Sequence, residues 1–120
     1  MPTQYTYTVE PHHSAAVIGS GGLDVLSTPM LIAYMENAAY LTCQEQLDDT
    51  QSTVGAQFSI QHLAPSAIQD TITVIIDYIR HEARQYYFEL SAHDSNGKIA
   101  TANHTRVVIN KDKFMARMKP

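Results

Sequence analysis

The chain has 120 residues, of which 44% are hydrophobic and 17% charged, with a formal net charge of −4. This composition is typical of a single globular domain, residues 1–120, rather than of a disordered chain. The acidic balance argues against nucleic acid as a partner, because nucleic-acid binding calls for a basic surface. The lone Cys43 excludes an internal disulfide.

The sequence predicts a soluble, cytoplasmic protein. Its densest apolar run, residues 72–79, is interrupted by Thr73 and Asp77. That run is far shorter than the roughly 18 apolar residues of a membrane span. Residues 1–9 lack the basic and apolar regions of a signal peptide. We therefore expect no membrane partner and no requirement for an oxidising compartment.

The first part of the chain predicts a strand, a loop and a long helix. Residues 4–9 alternate apolar and polar side chains, as a half-buried strand does. A glycine-rich loop with no aromatic side chain covers residues 18–23. Ser27-Thr28-Pro29 predicts a helix start, with a hydroxyl N-cap and proline at the first helical position. The helix should run to about Leu47 and be buried on most sides, since it is apolar almost all round.

After a polar break the rest of the chain is strand-like. The predicted strands cover residues 53–63, 71–82, 85–94 and 98–110, with a hairpin turn at Asn96-Gly97. Side chains expected to share one face of the second of these strands are Ile72, Val74, Ile76 and Tyr78. The order predicts an α+β fold, an antiparallel sheet of about five strands wrapped around one long helix. Because such a sheet has exposed edges, we expect a homodimer.

Three polar residues are the candidates for function: Thr28, Glu36 and His62. One helical turn from Glu36 the side chains are mainly apolar, so its carboxylate is predicted to be buried. A buried carboxylate needs a partner or a proton. His62, on the strand that follows the helix, is predicted to be that partner.

The motifs resemble those of a known family. The matching stretches are 27–29 with Met35-Glu36, Thr53-Val54-Gly55 with His62-Leu63, and residues 102–109. As a set they resemble the hotdog-fold acyl-CoA thioesterases related to fluoroacetyl-CoA thioesterase. The resemblance implies hydrolysis of an acyl-CoA thioester, without cofactor or metal, at a site on the dimer interface. It also implies Thr28, Glu36 and His62 as catalytic residues and Gly55 as the glycine whose backbone faces the thioester.

The chemistry leaves two routes open. Glu36 either attacks the carbonyl directly, giving an acyl-enzyme anhydride, or activates water. His62 orients Glu36 or moves a proton, and Thr28 hydrogen-bonds Glu36 or a water. The N–H of Gly55 and the positive end of the helix are candidates for stabilising the oxyanion.

Each of these residues also has a purely structural interpretation. Thr28 can be an N-cap, His62 a core histidine and Gly55 the mark of a bulge. His104 is interpreted as structural. The basic residues near the C-terminus are a solvated tail or contacts to the phosphates of coenzyme A: Arg106, Lys111, Lys113, Arg117 and Lys119.

Two other functions remain open on this scaffold. One is a non-hydrolytic acyl-CoA-binding protein, acting as a sensor or accessory subunit. The other is a hydratase or dehydratase, although its characteristic motif is not evident. A protein that binds acyl-CoA but has lost hydrolysis has little reason to retain a buried carboxylate with a polar partner. We therefore favour the thioesterase.

Overall fold

The computed structural model describes residues 3–118. The strands are β1 (Gln4–Thr8), β2 (Gln51–His62), β3 (Thr71–Glu82), β4 (Gln85–Asp94) and β5 (Gly97–Asn110). The helices are α1 (Ala15–Ile18), α2 (Thr28–Gln44) and α3 (Lys111–Ala116), with a 3-10 turn at Pro11–His13. Every strand pairing is antiparallel and the strand order is β1-β3-β4-β5-β2. The predicted α+β fold with five strands and one long helix is confirmed.

The core lies between α2 and one face of the sheet. Leu31, Met35 and Ala38 of α2 are fully buried. The sheet residues that meet the helix alternate along their strands, as period-two patterning requires: Ile72, Val74, Phe88, Leu90, Ala100 and Ala102. The opposite flank of α2 is open in the single chain, where Tyr40 is 37% and Leu41 40% exposed. Apart from this flank the helix is buried on most sides, as expected, since the exposed residues of α2 are Pro29, Asn37, Tyr40 and Leu41.

Two boundaries differ from the sequence prediction for local reasons. Helix α2 ends at Gln44, three residues early, because the N–H groups of Gln46 and Leu47 turn back to the carbonyls of Cys43 and Gln44. In β3 the register shifts between Ile76 and Tyr78. This bulge turns Tyr78 to the outer face, where it is 49% exposed, and the predicted four-residue stripe ends at Ile76.

Segments expected to be irregular contain short helices. The N-terminal loop holds α1, whose first turn is capped by the Ser14 hydroxyl and which ends at Gly19 with φ of 82°. The basic C-terminal segment begins with α3, capped by Asn110. In residues 3–118 no helix is long and apolar enough to cross a membrane.

Candidate active site

The start of α2 brings Thr28 against His62. Ser27, rather than Thr28, is the N-cap, and its hydroxyl accepts a hydrogen bond from the Met30 N–H. Thr28 is the first helical residue and Pro29 the second. The interpretation of Thr28 as an N-cap is therefore wrong. Its hydroxyl instead lies 2.8 Å from Nδ1 of His62, the last residue of β2.

The His62 ring is suited to accepting a proton. Burial lowers the pKa of His62 below its ordinary value, while the backbone of Ala64 opposes the shift. The ring is therefore neutral at pH 7, and one nitrogen is free to accept from the Thr28 hydroxyl. Its Nε2 atom is buried and has no hydrogen-bond partner among residues 3–118. A buried polar atom without a partner is costly, which adds to the cost of burying this ring.

Glu36 lies away from Thr28 and His62 in the structure. Eight residues of helix separate it from Thr28, a rise of about 12 Å. Its side chain is 42% exposed, and its Oε2 lies 4.0 Å from Nη1 of Arg106. Within one chain, then, Glu36 is neither buried nor the partner of His62, and both expectations need correction. Thr28 and Glu36 lie at separate points along helix α2.

The opposing wall of the Glu36 site is the strand residue Gly55. A Cβ atom at this position would lie 2.7 Å from Glu36 Oε2 and 3.3 Å from the His104 ring. Any side chain would thus displace the carboxylate, and glycine is needed here for close approach. The β2–β5 register also shifts just after Gly55, so the bulge predicted as its structural interpretation is present as well.

Arg106 is a site residue that the sequence interpretation misplaced. It does not belong to the C-terminal basic group but points inward from β5, where it is 6% exposed. Its guanidinium donates to the Thr53 hydroxyl at 2.8 Å and to the Thr53 carbonyl at 3.0 Å. The signal was available, because Arg106 alternates with the buried His104 and Val108 along the same strand.

His104 supports Arg106. Its Nδ1 lies 2.8 Å from the Gln57 carbonyl, which can only accept, and Nε2 lies 3.1 Å from Arg106 Nη1, which can only donate. Both bonds are made when the ring is neutral with the proton on Nδ1. Burial and the Arg106 charge lower the pKa of His104, whereas the Gln57 carbonyl and Glu36 oppose the shift. This agrees with the structural role expected for His104.

The two groups open into separate clefts. The cleft at Thr28 and His62 has a volume of about 350 Å³ and that at Glu36 about 260 Å³. The second is lined by Ala33, Glu36, Asn37, Tyr40, Gly55 and Arg106. Among residues 3–118 no group of three or more histidine, cysteine or acidic side chains is placed to hold a metal ion.

The remaining basic residues lie away from both clefts. Arg84, Lys113 and Arg117 surround Phe114 in a third cleft of about 210 Å³. Lys111 begins α3 and is exposed. Lys119 lies outside the described residues. Contact between this group and the phosphates of coenzyme A stays a prediction.

Solved structures define the class of fold. A crystal structure of the fluoroacetyl-CoA thioesterase FlK superposes with a TM-score of 0.89 at 24% identity, covering 98% of this chain and 93% of that one. A thioesterase superfamily member from Thermus thermophilus gives 0.86 at 20% identity, covering 96% and 85%. A hot-dog-like protein from Thermanaerovibrio acidaminovorans gives 0.81 at 24% identity, covering 95% and 84%. The chain has the hotdog fold.

Sequence comparison gives the family. The family model described as fluoroacetyl-CoA-specific thioesterase, FlK, matches residues 9–112. A fluoroacetyl-CoA thioesterase from Streptantibioticus cattleyicolor is 27% identical over 96 residues, which are 80% of this chain and 69% of that protein. The chain belongs to the FlK thioesterase family and is a thioester hydrolase, as its motifs predicted.

Proposed function

We propose that the protein hydrolyses acyl-CoA thioesters at a site shared between two protomers of a homodimer. Thr28 and His62 come from one protomer, and Glu36 with Gly55 comes from its partner. The observation that carries the proposal is the split within one chain. The Thr28–His62 hydrogen bond is formed at 2.8 Å, while Glu36 lies about 12 Å further along the helix.

Strand β2 supports the shared site. It is an edge strand of twelve residues that pairs only with β5 within residues 3–118, and residues 55–57 at its bulge are exposed. An edge of this length normally pairs with another strand. Antiparallel pairing of β2 with its symmetry mate, centred near Phe58 and Ser59, would bring Gly55 of one protomer opposite His62 of the other. The same dimer would cover the exposed flank of α2 around Tyr40.

Thr28 and His62 supply one half of the chemistry. His62 moves a proton to the leaving thiolate and Thr28, hydrogen-bonded to His62, holds a water near the thioester carbonyl. The partner's carboxylate would then lie near the His62 ring. The Glu36–His62 pair predicted from the sequence would thus form between protomers.

Glu36 supplies the other half, by either of the two routes. As nucleophile it forms an anhydride that water then opens, and as base it takes a proton from the attacking water. In both routes the carbonyl carbon becomes tetrahedral, the C–S bond breaks and the thiolate leaves with a proton. Arg106 faces Glu36 at 4.0 Å. The positive charge of Arg106 attracts the Glu36 carboxylate and holds it in position, although the two groups form no close hydrogen bond.

The experiment is thiol release from a panel of acyl-CoAs by wild type beside Glu36→Gln. We expect release by wild type and a fall of at least ~10²-fold in the variant, the order of magnitude lost when a catalytic proton-transfer group is removed. Wild-type turnover in Glu36→Gln would rule out its assigned role. Tight acyl-CoA binding without any release would favour the non-hydrolytic binder instead.

A further inference from the structure

The cleft above Thr28 and His62 extends well beyond the reacting groups. Its volume is about 350 Å³, enough for roughly a dozen water molecules. A two-carbon acyl group would leave most of this space as solvent. The cleft therefore has room for a larger group attached to the thioester carbonyl.

The walls of this cleft combine apolar and polar residues and carry no Asp, Glu, Lys or Arg side chain. They are formed by Ala15, Val25, Leu26, Leu63, Ala64 and Pro65, with Ser20 and Ser27 as the polar residues besides Thr28 and His62. The Ser27 hydroxyl already caps the helix. Six of the ten lining residues are apolar and no lining side chain is basic enough to pair with a carboxylate or phosphate, so the cleft favours an uncharged group with hydrocarbon surface.

The cleft is open on the side of the glycine-rich loop. Ser20 is the residue of this loop that lines it, and a Cβ added at Gly19 or Gly22 would meet nothing within 4 Å. Leu63 stands at the rim and is 59% exposed in the single chain. Leu63 also belongs to the lining of the cleft, so an apolar group bound there would contact it.

We infer that this cleft binds the acyl chain, and that the preferred substrates carry uncharged, apolar acyl groups of on the order of four to eight carbons. The inference rests on the proposed function, because it assigns the acyl group of the same reaction. In the proposed dimer, the charged half of the site, which consists of Glu36 and Arg106, would lie on the other side of the reacting carbonyl.

The test is kcat/KM for acetyl, butyryl, hexanoyl and octanoyl thioesters, each made with coenzyme A and with N-acetylcysteamine. We expect kcat/KM to rise roughly fourfold per methylene until the cleft is full. The rise should appear in both series, because the acyl chain and not the thiol arm fills the cleft. A rise confined to the coenzyme A series, or a preference for acetyl in both, would overturn the inference.

Two variants sharpen the test. Leu63→Asp places a charge on the cleft wall, whereas Val17→Asp changes a similarly exposed residue, 63% against 59%, that does not line the cleft. The hexanoyl-to-acetyl ratio of kcat/KM should fall about tenfold in Leu63→Asp and stay unchanged in Val17→Asp. Equal ratios in the two variants would contradict the inference. Absence of hydrolysis with every thioester would instead contradict the proposed function.

Discussion

At the scale of single residues, the proposed site depends on side chains whose chemistry or size a similar residue would not reproduce. Thr28 and His62 form one hydrogen bond at 2.8 Å. Glu36, Gly55 and Arg106 are held together by close approach rather than by a direct hydrogen bond. The Thr28–His62 pair depends on which atom carries the proton, whereas Glu36, Gly55 and Arg106 depend on the space between their atoms. Different substitutions therefore test the two groups.

Gly55→Ala tests the space beside Glu36. Its new Cβ would lie 2.7 Å from Glu36 Oε2, so the carboxylate must move. A displacement of this kind costs about 10²-fold in rate when the displaced group reacts, and we expect a fall of that order in kcat. The matched control is Gly22→Ala, where the added methyl meets nothing within 4 Å. Equal activity of Gly55→Ala and the control would contradict the placement of Glu36.

The pH dependence of stability tests the buried neutral histidine. Burial lowers the pKa of His104, and the same cause acts on His62 and His13. The folded state therefore binds fewer protons than the unfolded state below about pH 6.5, the ordinary histidine value. Stability should be fully present above this pH. It should be lost on acidification, by up to about 1.4 kcal/mol per pH unit for the fully buried His104 and by less for the more exposed His62 and His13.

The measurement is urea denaturation at fixed protein concentration between pH 5 and 7. His104→Gln removes one titrating group, so the loss of stability on acidification should become shallower. His12→Gln, in the exposed N-terminal turn, is the matched control. A His104→Gln slope no shallower than that of the control would show that His104 does not contribute.

At the scale of elements, the start of α2 separates the capping residue from the residue proposed for catalysis. Ser27 caps the helix, which frees the adjacent Thr28 hydroxyl for His62. Ser27→Ala should lower the free energy of unfolding by about 1 kcal/mol. Thr28→Val, similar in shape, should lower kcat by at least ~10²-fold with a smaller loss of stability. Thermal melts and thiol-release assays on both variants check this, and an unstable but active Thr28→Val would reverse the two roles.

Much of the architecture was predictable because it depends on local sequence patterns. Ser27-Thr28-Pro29, the alternation in β4 and Asn96-Gly97 gave the helix start, a strand and a turn near their observed places. The bulge at Ile76–Tyr78 was not predictable, since a one-residue shift leaves the alternation intact on both sides. The short helices α1 and α3 were missed because four to six residues carry too little periodicity.

The residues of the candidate site could be proposed from the sequence, but their contacts within one chain could not. Thr28, Glu36 and His62 could be chosen from motifs, yet their mutual distances depend on how α2 crosses the sheet. Arg106 was grouped with the C-terminal basic residues by sequence proximity, whereas strand alternation puts it inside. Proximity along the chain is a poor guide to a strand residue's surroundings, because its neighbours lie on adjacent strands.

At the scale of the whole molecule, the proposed function treats the two clefts of one chain as incomplete halves of a site. Edge strand β2 and the open flank of α2 are the surfaces that a second copy would cover. Two-fold symmetry would complete both halves at once, giving two equivalent sites per dimer. In this arrangement each protomer contributes Thr28 and His62 to one site and Glu36 to the other.

The most direct test of the shared site is to mix two inactive variants, Glu36→Gln and His62→Ala, by unfolding and refolding them together. A mixed dimer has one intact site, so random mixing should recover about a quarter of wild-type thiol release. Thr28→Val mixed with His62→Ala is the matched control and should stay inactive, since both changes fall in the same half. If the first mixture forms mixed dimers yet stays as inactive as the control, the site is not shared between protomers.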